Sequence, residues 1–136
     1  MSPFRVLFLA GALLAAGTAV AADGYWQAVA ATVAAKVAEA EAAAAKGQAD
    51  VAKRALNDAY FQKFEDGKLE AAIRKEIAAK RAVEVEQMFA GLRKAVSAGD
   101  QAAVARGAGE LRAAITADAR TLDAAKVPPE VFQVNK

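Results

Sequence analysis

The chain has 136 residues, 56% of them hydrophobic and 25% charged, with 18 Lys and Arg against 16 Asp and Glu. It contains no His and no Cys, which excludes imidazole acid-base catalysis, thiol nucleophiles, CxxCH haem attachment and nearly all structural zinc sites. Charges of both signs are interspersed, so no basic stripe points to nucleic acid or an anionic membrane.

Arg5, the apolar run 6–16, Gly17 and Thr18-Ala19-Val20-Ala21-Ala22 have the n-region, h-region and small-residue ending of a secretory signal peptide. Cleavage is expected after Ala21 or Ala22, and it lowers the formal charge of +2 by one. The apolar run is shorter than the ~20 residues a spanning helix needs. An uncleaved membrane anchor is the alternative; with no Cys after the run, a lipid anchor is not expected. Residues 1–22 are thus read as the signal peptide, 23–127 as one helical domain in the periplasm or outside the cell, and 128–136 as an extended tail in which Val131 and Phe132 could be pinned to the bundle.

Ala, Glu, Lys, Arg and Leu dominate from Trp26 to Lys126, and these are the strong helix formers. Gly and capping residues punctuate the chain at Lys46-Gly47-Gln48-Ala49-Asp50, Asp66-Gly67, Ala98-Gly99-Asp100 and Val127-Pro128-Pro129. They divide it into helices over about 25–46, 49–65, 68–98 and 100–126. The fold class is all-α, an up-down four-helix bundle of three long helices and a packed Ala-rich first helix. That first helix is expected to dock through Tyr25, Trp26, Val29 and Val33 and to fray towards Gly47, because alanines bury little surface. In the third helix Leu69, Ile73, Ile77, Val85, Met88, Leu92 and Val96 form a stripe; in the fourth, Val104, Ala108, Leu111, Ile115 and Leu122 do so. Gly107 and Gly109, inside that helix, suggest close helix approach.

Ser97 is the only Ser after the leader, so no catalytic triad can be assembled and no enzymatic activity is expected. What remains is carboxylate chemistry. Residues 57–73 gather Tyr60, Phe61 and Phe64 with Asp58, Glu65, Asp66 and Glu70 at a helix junction. A tight turn at Gly67 would let Glu65 and Glu70 converge on a hard cation, with the Tyr60 hydroxyl one helical turn away. The structural alternative is equally concrete: acids in a first turn oppose the helix dipole, and Glu70 can pair with Arg74 at i,i+4. On a continuous third helix Glu70 points to the apolar side, whereas Glu86 lies on the other side and roughly 24 Å away. The two could not then share an ion. Tyr60 and Phe64 read as core. Phe61, nearly opposite them, either packs on the first helix or is exposed for a partner.

Ala59-Tyr60-Phe61-(x)2-Phe64-Glu65, Leu69-Glu70-Ala71-Ala72-Ile73, Lys80-Arg81-Ala82, Val85-Glu86-Gln87-Met88-Phe89 and Leu92-Arg93, followed by a Gly-Asp turn, resemble the extracytoplasmic N-terminal helical domain of bacterial high-affinity iron permeases. The family pattern is similar to A-Y-F-x-x-F-E-x-x-G-M-E-x-A-I with a downstream E-x-x-F. The resemblance implies Tyr60, Phe64, Glu65, Glu70, Glu86 and Phe89 as pattern positions, with Glu65, Glu70, Tyr60 and Glu86 as candidate metal ligands. It implies an accessory domain that binds an iron ion or assists its delivery to a membrane iron permease or another iron-uptake component. Lys68 stands where the pattern has Gly, with Gly67 one position earlier. The chain has no R-E-x-x-E motif and no further apolar span, so it is not itself a permease. A structural or protein-interaction bundle without metal binding is the alternative reading.

Overall fold

The computed structural model describes residues 24–132, all helices, turns and connections with no strand among them. The expected signal peptide and cleavage site, and residues 133–136 of the tail, lie outside the described residues. Helix α1 spans Tyr25–Ala45 and α2 spans Ala49–Asn57, continued by a π-helical stretch Asp58–Glu65. A short α3, Leu69–Ala72, runs into a π-helical turn, Ile73–Ile77. Helices α4, Ala79–Ala98, and α5, Gln101–Ala124, follow, and Pro129–Phe132 close with a 3-10 turn in place of the extended tail expected there. No helix among the described residues is long and apolar enough to cross a membrane.

The four long elements pack in the cyclic order α1, α2, α4, α5. Neighbours are antiparallel. Glu41 meets Arg112 and Trp26 meets Asp123 between α1 and α5, while Arg81 meets Asp118 between α4 and α5. This is an up-down bundle, as the short connections dictate. Both apolar stripes are inside: Val104, Ala108, Leu111, Ile115 and Leu122 of α5 are buried, as are Leu69, Ile73, Val85, Leu92 and Val96. Gly107 has ordinary contact distance to Leu92, but Gly109 faces open space and brings no helix closer.

Two expectations change. The first helix is not the weakly docked one. Trp26, Ala30, Val33, Val37, Ala40, Ala43 and Ala44 are buried along its whole length, and it packs against both α2 and α5. Small side chains here let the backbones approach, so alanine serves packing density more than apolar area. Tyr25, by contrast, is half exposed.

The second change is that residues 68–98 are not one helix. Ala78 is extended, at φ −169° and ψ 145°, and α4 starts afresh after it. A continuous helix of that length would reach roughly 45 Å at 1.5 Å per residue, whereas α1 has 21 residues and α5 has 24. Its first two turns would overrun the bundle. Breaking at Ala78 folds them back, so that Leu69, Ala72 and Ile73 are each fully buried. The junction before α3 differs too. Lys68, not Gly67, carries the left-handed backbone, at φ 66°. Gly67 is needed for space, because a Cβ there would lie 2.2 Å from the Lys63 carbonyl oxygen and 2.9 Å from Val29 of α1.

One contact closes the ring at the start of α1. No side chain of the local sequence caps this helix. Asp123 near the end of α5 does it instead, its carboxylate accepting from Trp26 N at 3.0 Å and Gln27 N at 2.9 Å. The Trp26 indole donates to the Val127 carbonyl at 2.8 Å. A Cβ on Gly24 would lie 1.8 Å from the Asp123 carboxyl carbon, so glycine there admits the cap. Replacing Asp123 with Ala should cost about 0.5–2 kcal/mol, as for other N-caps, and Leu111→Ala about 2–5 kcal/mol for an emptied core position. Denaturant melts of the two variants measure both, and wild-type-like midpoints would contradict the packing described.

Candidate functional site

The aromatic residues of the π-helical stretch after α2, and of α4, build one side of the site. Phe64 and Phe89 are fully buried with centroids 5.4 Å apart. Tyr60 leans on both, at 5.9 and 5.2 Å, and Arg93 of α4 places its guanidinium carbon 5.3 Å from the Tyr60 ring centre, a cation–π distance. Phe61 is 53% exposed. It meets Tyr60 edge-on at 4.9 Å and lies outside the buried core. Asn57, Tyr60, Phe61, Glu86 and Arg93 line an open groove of about 410 Å³.

Tyr60 and Phe61 fall in the π-helical stretch, whose end is marked by Asp66 N bonding back five residues to the Phe61 carbonyl at 3.1 Å. The wider turn displaces side chains from α-helical register, and such turns recur at functional sites.

The acids do not gather as the sequence suggests. Glu65 ends the π-helical stretch on an exposed position, and the carboxylate that joins Glu70 is Glu86. The Arg74 Nη2 donates to Glu70 Oε1 at 2.9 Å and to Glu86 Oε1 at 2.8 Å. The expected 24 Å separation of Glu70 from Glu86 is overturned because it assumed an unbroken helix, and the break at Ala78 turns the segment before it back towards α4. The predicted Glu70–Arg74 pair is present. Among the described residues, no three acidic side chains form a set that could hold a metal ion.

The electrostatics follow from this crowding. A hydrogen bond with the Glu70 carboxyl raises the Glu86 pKa, burial and the Glu70 charge add to it, and Arg74 opposes them. A like charge so near disfavours the ionised form of Glu86. Burial pushes the Tyr60 phenol up, the charges of Glu70, Glu86 and Glu65 push it further, and Arg93 works against them. Tyr60 is therefore a neutral hydrogen-bond donor at neutral pH, and as a phenolate ligand it would need the cation itself to displace its proton.

Three side chains of this structure had no role in the sequence reading. Arg93 entered it only as part of the family pattern. Asp118, 7% exposed, accepts from Arg81 Nε with both oxygens, at 3.1 and 2.9 Å, and Arg81 also reaches Glu84 at 3.1 Å. Its signal was available: Asp118 lies three residues past Ile115 and four before Leu122, on the apolar stripe, where a carboxylate needs a partner. Asp123 sits one residue past Leu122 and gives no comparable sign.

Because the folded chain holds the Glu86 proton more readily than the unfolded chain, folding stability should fall as pH rises from 4.5, the ordinary value, through the higher native titration. Glu86→Gln cannot ionise, so its stability relative to wild type should rise over the same interval. Urea melts from pH 4 to 7 test this, and parallel profiles for the two proteins would contradict it.

No family model, curated protein or solved structure matches this chain.

Proposed function

We propose that this chain is an extracytoplasmic accessory domain, similar to the soluble domain of iron permeases, that engages a hard cation such as iron as cargo and passes it to membrane uptake machinery. The observation that carries the reading is the meeting of Glu70 and Glu86. Two carboxylates from separate elements converge beside Tyr60, at positions of the iron-permease pattern, on one arginine nitrogen. A multivalent cation would relieve that like-charge crowding, and carboxylate oxygens suit hard ions. The left-handed backbone at Lys68 adds support, since this is the position where the pattern has Gly, the residue that adopts φ > 0 without steric cost. Tyr60 stands at the margin as a further oxygen donor. The apolar leader at the start of the sequence supports export.

A second reading rests on Arg74. A guanidinium already satisfies both carboxylates, and the half-exposed Phe61 beside the groove suits a protein partner, which favours an interaction bundle without metal. Thermal melts and calorimetry with iron, manganese, copper and zinc separate the two. If only the folded chain binds, metal at 100 times its dissociation constant should add ~2.7 kcal/mol, and Glu70→Gln/Glu86→Gln should stay folded and lose that gain. No response of the wild type to any of the four ions would select the interaction reading.

A further inference from the structure

A single residue divides the chain into two helical hairpins. Residues 24–77 hold α1, α2, the π-helical stretches and α3, and residues 79–132 hold α4 and α5. Neither hairpin completes a core alone, because α1 packs on α5 and α2 on α4. The large buried side chains come from both, Trp26, Val33 and Leu56 from the first and Leu111, Ile115 and Leu122 from the second. The joint between them is Ala78, extended, exposed and flanked by helix on either side. Its local sequence does not favour a break. Alanine is the strongest helix former and a poor N-cap, no side chain caps the start of α4, and Ala79 and Lys80 are exposed and equally suited to a helix. The N–H groups of Ala79, Lys80 and Arg81, in the first turn of α4, have no partner within it. A helix unbroken from Leu69 to Ala98 would give each the carbonyl four residues earlier. In one chain that helix parts the hairpins and leaves both apolar faces in water. In two chains it does not.

We infer that a second copy of this chain is a partner for it, through exchange of hairpins about Ala78. Residues 69–98 then form one helix that crosses from one bundle to the next, and each bundle is completed by residues 24–77 of one copy and 79–132 of the other. Exchange keeps the contacts between hairpins and changes only the hinge, which makes it a low-cost route to a dimer. The helical hydrogen bonds at the hinge are gained twice per dimer. The polar cluster becomes shared as well: Glu70 and Arg74 of one copy meet Glu86 of the other, and Tyr60 of one meets Arg93 of the other, since the members of each set lie on opposite sides of Ala78.

Because the chain has no Cys, one engineered pair reads the exchange. Glu41 and Arg112 face each other between α1 and α5 at 2.6 Å and belong to different hairpins. In Glu41→Cys/Arg112→Cys a short bis-maleimide therefore links one chain to itself in the monomer and two chains to each other in the exchanged dimer. The purified protein is refolded from denaturant at low and at high concentration, sized by analytical ultracentrifugation, cross-linked and run on a denaturing gel. A dimer fraction that grows with refolding concentration and is linked between chains is the expected result, with the monomer fraction linked within itself. Ala78→Gly suits an extended hinge and disfavours the helix at both crossings of the dimer, so it should weaken dimerisation at least about tenfold and leave the helical content of the monomer unchanged. Monomer at every concentration, a dimer linked only within chains, or a dimer undiminished in Ala78→Gly would overturn the inference.

Discussion

The extended backbone at Ala78 is the constraint on which the rest of this structure depends. A bundle whose long helices run 20 to 24 residues cannot cover a thirty-residue helix, and apolar side chains beyond its end would stay in water. Folding Leu69–Ile77 back against the end of the bundle buries Leu69, Ala72 and Ile73. It also carries Glu70 and Arg74 with them, so the polar cluster follows from an apolar requirement. The gain of burying two large side chains, about 1.5–3 kcal/mol each, outweighs the few hydrogen bonds that the break interrupts. One of these is recovered as Ala78 N bonding to the Ile73 carbonyl at 3.0 Å.

The distribution of side-chain size sets where such a cluster can form. Near the Gly47 and Gly99 turns, the core is filled by Ala43, Ala44, Val96 and Val104. Trp26, Tyr60, Phe64 and Phe89 collect towards the other end. Large rings spread the helices there and leave a groove that alanine packing would have closed. Arginines join the elements at this end: Arg93 over Tyr60, Arg74 to Glu70 and Glu86, Arg81 onto Asp118 of α5. Farther along, Arg112 reaches Glu41 at 2.6 Å. The exposed pairs among these contribute little singly. Their effect is registration, since each joins elements whose Ala-rich surfaces could otherwise slide by a turn.

The all-α class, the helix ends at Gly47 and Gly99 and the buried faces of α4 and α5 were legible in the residues alone, because propensity, capping and a 3.6-residue period act locally. Asp100 illustrates this: its side chain caps α5 by accepting from Ala103 N at 3.1 Å, as a Gly-Asp pair before an apolar run suggests. Asp118 was half legible, as a charge on an apolar stripe whose partner could not be named. The break at Ala78 was not, because Ile77-Ala78-Ala79-Lys80 contains neither Gly nor Pro, and Ala78, Ala79 and Lys80 are strong helix formers.

Composition and periodicity by themselves thus determined a helical bundle, its glycine-marked turns, and Tyr60, Glu65 and Glu70 as the phenol and acids to watch, while Glu86 came in only through the family pattern. Which of these meet was decided only by tertiary structure. Helix length relative to the bundle forced the break, the break placed Glu86 beside Glu70 in place of Glu65, and one arginine found both. Local rules read a helix from its own side chains, but the point at which it must stop is set by the height of the helices it packs against.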